Sequence, residues 1–163
     1  MAVIHMRIDN RLIHGQVTAS WVNALGANRI IVTNDKVAHD PVQKMLLPQA
    51  ARGVPTLVLS IADTLAYAAS EQGQKERILV IAKLPQDALS LIEGGLKPAE
   101  VNVGNQAPTP GTRFKMVTRS IAVTAEDAAI YRAIAGKGYP LTSKMMPGDR
   151  QNDFLDLLKK GGF

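Results

Sequence analysis

Cysteine is absent from the 163 residues, which removes a disulfide framework, a thiolate metal site and cysteine nucleophile chemistry together. Aromatic residues make up only 4%, so the stacking platforms that hold single-stranded nucleic acid are scarce. Long hydrophobic runs are also missing: the run from Ile78 to Ala82 falls far short of the roughly 18 residues that cross a membrane, and no basic start leads into an apolar signal core. The chain is therefore expected to be cytoplasmic. A Walker loop, G-x-G-x-x-G, H-E-x-x-H and EF-hand spacing do not occur, and no serine sits in a nucleophile elbow. Three scattered histidines without cysteine do not make a zinc site. Neither a metal nor an organic cofactor is expected.

Hydrophobic residues at 46% with 20% charged residues describe a globular chain outside the regime of disorder. The length suits one domain, residues 1–163. Nineteen basic against fourteen acidic residues give +5, which suits an anionic partner. The basic residues are dispersed rather than clustered, and no nucleic-acid partner is expected.

Short β-branched runs alternate with stretches of helical spacing, the pattern of an α/β fold. Strands are predicted at Val3–Ile8, Arg29–Thr33, Thr56–Ser60, Ile78–Ala82, Val101–Gly104 and Ser120–Thr124. Helical faces are predicted through Val17, Trp21, Ala24 and Leu25, through Leu65, Ala68 and Ala69, and through Ile130, Ala133 and Ile134. The expected architecture is a single open, mostly parallel twisted sheet with helices on both faces. Ser60 with Asp63 and Thr124 with Asp127 have capping-box spacing, and Asp40 before Pro41 is another helix start. Gly94–Gly95 and Gly136–Gly138 mark helix ends. Pro48 is expected to break or kink the segment after Asp40 before Gly53, rather than let it form one regular helix. Two loops follow strands and belong at the carboxyl ends where open parallel sheets place their sites: Asp9 to His14, and the irregular Gln106–Thr112.

The first loop, Arg7-Ile-Asp-Asn-Arg-Leu-Ile-His-Gly-Gln-Val17, sets two guanidinium groups, a carboxylate and an imidazole between a strand and a helix. A neutral imidazole is a nucleophile near pH 7, while a helix N-terminus and an arginine both favour a phosphoryl group. That combination suits a phosphohistidine at His14, with Gly15 leaving room for a donor and Asp9 orienting a ring nitrogen. From the residues alone a blander reading stays open: His14 as an exposed capping residue, Arg11 as a solvated charge, Asp9 as a turn former. His5, within a strand, and His39, beside a helix cap, read as structural or solvent-facing.

The same eleven residues, followed by Trp21, resemble the phosphorylation loop of bacterial sugar phosphotransferase system enzyme IIB components of the mannose/fructose/sorbose class. The resemblance continues through Arg29-Ile-Ile-Val with Asn34-Asp35, Asp40-Pro-Val-Gln-Lys44 and Val101-Asn-Val-Gly-Asn105, covering essentially the whole chain. It departs at Gln106-Ala-Pro-Thr-Pro110, where typical members often carry an aromatic residue or histidine. The resemblance implies that His14 takes phosphate, at Nδ1, from a phosphorylated enzyme IIA. His14 would then pass it to a sugar of the mannose, fructose, sorbose or N-acetylgalactosamine class held by the membrane components IIC and IID. Arg11 would be the phosphate-stabilising cation and Asp9 the loop-organising carboxylate. The rival from another class is a non-catalytic module binding an anionic metabolite at the Asp9–His14 loop. The sequence leaves the sugar and a homo-oligomeric state open.

Overall fold

The computed structural model describes residues 3–163. In chain order the elements are β1 (Val3–Asp9), α1 (Gly15–Leu25), β2 (Arg29–Thr33), α2 (Asp35–Ala38), α3 (Pro41–Ala50), β3 (Thr56–Leu59), α4 (Ile61–Ala69) and α5 (Glu71–Lys75). They continue with β4 (Ile78–Ala82), α6 (Pro85–Glu93), β5 (Val101–Asn105), β6 (Phe114–Thr118), β7 (Ile121–Thr124), α7 (Ala125–Gly136), β8 (Leu141–Ser143), β9 (Asn152–Asp153) and α8 (Phe154–Lys160). The main sheet runs β3-β2-β4-β1-β5-β8-β9, parallel except for β9, which is antiparallel to β8.

Alternation of side chains explains why helices cover both faces. In β4, Ile78, Val80 and Ala82 join one core with Met6, Ile31 and Val101, sealed by Ala68, Leu91, Tyr131 and Phe154 of α4, α6, α7 and α8. Leu79 and Ile81 point the other way and pack with Ile30 and Val32 beneath Trp21 and Val22 of α1 and Val37 of α2. The expected open, mostly parallel sheet is thus the one observed. The caps also fall where the spacing puts them. Ser60, Thr124 and Asp40 accept hydrogen bonds from the first turns of α4, α7 and α3.

Three expectations need correction. The segment 120–124 is not part of the main sheet. Its strand β7 pairs antiparallel with β6 in a separate ribbon, and Gln106 bridges it to the end of β5. Pro48 neither breaks nor ends α3, which continues to Ala50. The helix has no fully buried residue, so the carbonyl that loses its partner to proline can face water. Finally, Ala24, Ala69 and Ala133 are exposed. The buried faces instead run through Thr18, Trp21 and Val22, through Thr64 and Ala68, and through Ala128, Tyr131 and Ile134. Alanine has too little apolar area to set a helix's rotation against larger neighbours.

The central strand β1 is two-sided in an unusual way. Met6 and Ile8 enter the first core, while His5, Arg7 and Asp9, at 0%, 3% and 0% exposure, form a polar row beneath α1. His5 stacks on Trp21 with ring centroids 4.9 Å apart, and neither ring nitrogen finds a hydrogen-bond partner. Burial lowers its pKa from 6.5 to about 4, reinforced by Arg7 and Lys144. Glu100 Oε2, 3.7 Å from Nδ1, does not reverse that. Unfolded chains protonate His5 near pH 6.5 and the folded protein only near pH 4, so its contribution is complete above pH 6.5 and is lost as the pH falls toward 4. His5→Phe is expected to reduce the loss of unfolding free energy between pH 7 and pH 4.5 by about 2 to 3 kcal/mol, measured by urea unfolding. An unchanged drop would assign the proton uptake to other groups.

Candidate active site

The site is built where β1 ends. Arg11 N donates to Asp9 Oδ1 at 2.9 Å and Leu12 N to the Asp9 carbonyl at 3.2 Å, so the aspartate closes its own turn. Leu12 and Ile13 then sink into the core under α1. Burying Leu12 holds its backbone at φ 64°, a left-handed conformation costing about 1–2 kcal/mol for a side chain of this kind. With those two residues anchored, Arg11 and His14 turn outward, their side chains 41% and 22% exposed.

His14 occupies the N-cap of α1, its own amide donating to Thr18 Oγ1 at 3.1 Å. The first turn of α1 contains no acidic residue and receives no side-chain cap, which leaves helix N–H groups and the positive end of the dipole beside the imidazole. His14 Nε2 lies 2.9 Å from Asp9 Oδ2. A carboxylate only accepts, so Nε2 carries the proton of the neutral ring and Nδ1 keeps its lone pair.

Arg7 holds Asp9 from below. Its Nε donates to Asp9 Oδ2 at 3.4 Å, Nη1 to Asn102 Oδ1 at 2.6 Å and to the Lys144 carbonyl at 3.1 Å, and its Cζ lies over the Trp21 ring, 5.0 Å from the centroid. Burial draws the Arg7 pKa below its ordinary value, and Asp9 opposes that. The guanidinium fits because residue 104 is glycine. A Cβ there would overlap the Arg7 Cζ and both terminal nitrogens. The loop after β8 completes the wall: Trp21 Nε1 donates to the Met145 carbonyl at 2.9 Å, and Arg11 Nη2 lies 3.3 Å from Met145 Sδ. Arg11 Nε is 3.1 Å from the Asn105 side-chain amide.

The structure brings together the three residues singled out in the sequence, Asp9, Arg11 and His14. His5 stays beneath α1, and His39 is exposed at the end of α2, its Nδ1 2.7 Å from the Asp35 carbonyl. The loop 106–112 adjoins the site because Asn10 pairs with Ala107 through both its amide nitrogen, 3.0 Å, and its oxygen, 2.9 Å. Sequence reading missed Asn102, Gly104, Lys144 and Met145. For Arg7 the signal was present, since charged residues two apart on a buried strand share a face. Lys144 and Met145, more than 130 residues from the loop, had none. Among the described residues no group of three or more His, Asp or Glu is arranged to hold a metal, and no helix is long and apolar enough to cross a membrane.

The PTS system sorbose subfamily IIB component family matches residues 3–163. The chain belongs to this family of IIB components. It is similar to the IIB domain of the sorbose permease from Klebsiella pneumoniae, with TM-score 0.93, 33% identity and coverage of 100% of this chain and 99% of that one. It is 34% identical to an N-acetylgalactosamine-specific phosphotransferase enzyme IIB component of Escherichia coli, covering 96% and 98% of the two chains. It also matches 47% of the mannose-specific EIIAB component of Escherichia coli at 34% identity, using 94% of this chain. The protein is accordingly a phosphotransferase subunit, a PTS IIB component of the sorbose, fructose, mannose and N-acetylgalactosamine class.

Two outcomes follow for the IIB site. In Asp9→Asn the carboxylate that selects the Nε2–H tautomer is gone, so nitrogen NMR of His14 is expected to change from one dominant tautomer to a mixture. An unaltered spectrum would take Asp9 out of that role. Gly104→Ala must displace Arg7 and is expected to cost about 1–3 kcal/mol of stability, read as a lowered Tm. A wild-type Tm would mean that the guanidinium has room to move.

Proposed function

We propose that His14 is the phosphocarrier of this IIB component, acting within a single domain spanning residues 1–163 in the cytoplasm. His14 receives a phosphoryl group from phosphorylated enzyme IIA and passes it to the sugar handled by the membrane components IIC and IID. The observation that carries this reading is the 2.9 Å contact between His14 Nε2 and the buried Asp9 carboxylate, which leaves Nδ1 as the nucleophile. In the first step the Nδ1 lone pair attacks phosphorus, the bond from phosphorus to the donor breaks, and the Nε2 proton stays on Asp9's side of the ring. In the second step the sugar hydroxyl oxygen bonds phosphorus and releases its proton to solvent as the P–Nδ1 bond breaks and its electron pair returns to Nδ1.

Phosphoryl transfer depends on alignment and on stabilising charge on the equatorial oxygens. Arg11 supplies a forked cation, and the open first turn of α1 supplies N–H groups. The +5 net charge favours encounter with a phosphorylated donor.

The test is labelling from phosphoenolpyruvate through the general phosphotransferase proteins and enzyme IIA. His14→Ala is expected to take no label, while His5→Ala and His39→Ala label normally. Arg11→Ala should fold and transfer about ten- to a hundred-fold more slowly, the worth of about 1.5–3 kcal/mol for a charged hydrogen bond. Label retained by His14→Ala would sink the proposal, and a chain that binds phosphate without ever becoming labelled would favour the anion-binding module.

A further inference from the structure

Across α1 from Arg11 lies a second arginine that the sequence reading did not connect to the loop. Arg52 follows the C-cap of α3 and is exposed. Its guanidinium lies across the start of α1: Nη2 is 3.5 Å from the position a Cβ would take on Gly15, and Nη1 donates to Gln16 Oε1 at 3.4 Å. Gly15 and Gln16 are the two residues after His14. Among the described residues no carboxylate pairs with Arg52, whereas Arg29 is paired with Glu76 and Lys75 with Glu71, each at 2.8 Å. The cation is therefore held at the start of α1 by a weak contact to a neutral oxygen and keeps its charge unspent.

Its backbone supports the same reading. Arg52 has φ 52° and precedes Gly53 at φ 89°, a left-handed pair of positions in which glycine fits without cost and a long side chain does not. The conformation projects the side chain toward α1. A phosphoryl group carries close to two negative charges, while Arg11 brings one positive charge and the α1 terminus a partial one.

We infer that Arg52 is a second phosphoryl-binding guanidinium, gripping the transferring group from the α1 side while Arg11 holds it from the β5 side. This rests on His14 being the carrier. The Gln16 contact, at 3.4 Å between a cation and a neutral oxygen, is weak enough to be exchanged for phosphoryl oxygens when the group arrives. Arg52 takes no proton and forms no covalent bond. Its part is to neutralise charge on the oxygens as the donor bond breaks and the P–Nδ1 bond forms.

The test uses the full chain and two donors. Phosphoramidate phosphorylates an imidazole directly, its P–N bond breaking as the new one forms and ammonia leaving, and it has no protein surface to dock. Phosphorylated enzyme IIA is the second donor. Labelling is followed by phosphorus NMR in wild type, Arg52→Gln, Arg52→Gly, Arg52→Lys, His14→Ala and Lys44→Gln, the last removing one exposed positive charge from α3. Arg52→Gln and Arg52→Gly are expected to label about ten- to a hundred-fold more slowly with both donors, with Arg52→Lys between them and wild type and Lys44→Gln at the wild-type rate. Arg52→Gly should keep or exceed the wild-type Tm, because glycine suits the left-handed backbone, which separates a lost contact from a lost fold. Wild-type rates in Arg52→Gln and Arg52→Gly, slowing confined to enzyme IIA, or equal slowing in Lys44→Gln would each overturn the assignment of Arg52. Label in His14→Ala would instead overturn the carrier reading on which it rests.

Discussion

A carboxylate with no access to water governs the loop. Asp9 is 0% exposed, and a buried charge without partners costs several kcal/mol. Its oxygens are met by the Arg11 amide, the Arg7 guanidinium and the His14 ring, so each bond that relieves the burial penalty also fixes one part of the site. The turn is closed, the cation below is held, and the imidazole is set in one tautomer. The same constraint that stabilises the fold locally leaves the Nδ1 lone pair free.

Arg7 carries that constraint into the sheet. A guanidinium has five donors and must also be neutralised when buried, and here the partners come from distant parts of the chain: Asn102 on β5, Lys144 after β8, and the face of Trp21 on α1. The parallel order β4-β1-β5-β8 brings these strand ends to one rim, and Gly104 clears the volume the guanidinium fills. Because α1 leads from β1 toward β2 while β5 leads away toward β8, the chain diverges at this point, and the opening left between them is where open sheets place ligands. The histidine stands at that opening, partly exposed, with Nε2 against a buried, ordered network.

The paired arginines at the mouth contrast with this interior. Arg11, within the loop, and Arg52, beyond α3, are exposed and touch Met145 and Gln16, whereas Arg7 is enclosed and already satisfied. In the proposed transfer a phosphoryl group on Nδ1 meets exposed cations outside and a buried carboxylate behind the ring, an arrangement that separates charge stabilisation from orientation.

Much of this was legible in the chain itself. Apolar runs in alternation with helical spacing specified an open parallel sheet, since strands covered by helices on both faces are mostly apolar runs, and cap chemistry is local enough that Ser60, Thr124 and Asp40 declared their helices. The strand, loop and helix around His14 lie within eleven residues, so Asp9, Arg11 and His14 stay close once a turn joins the strand to the helix. Pro48 misled because its cost depends on whether the orphaned carbonyl meets water. The strand at 120–124 misled because a short apolar run does not specify its partner. Which ring nitrogen Asp9 takes, what neutralises Arg7, and why Gly104 is small were decided only by tertiary structure. Residues 95 and 137 positions apart touch Arg7, and Arg52 reaches α1 across 36 residues. Such contacts leave no local period or spacing. They exist because sheet order and the satisfaction of buried charge are properties of the whole folded chain, which no segment carries alone.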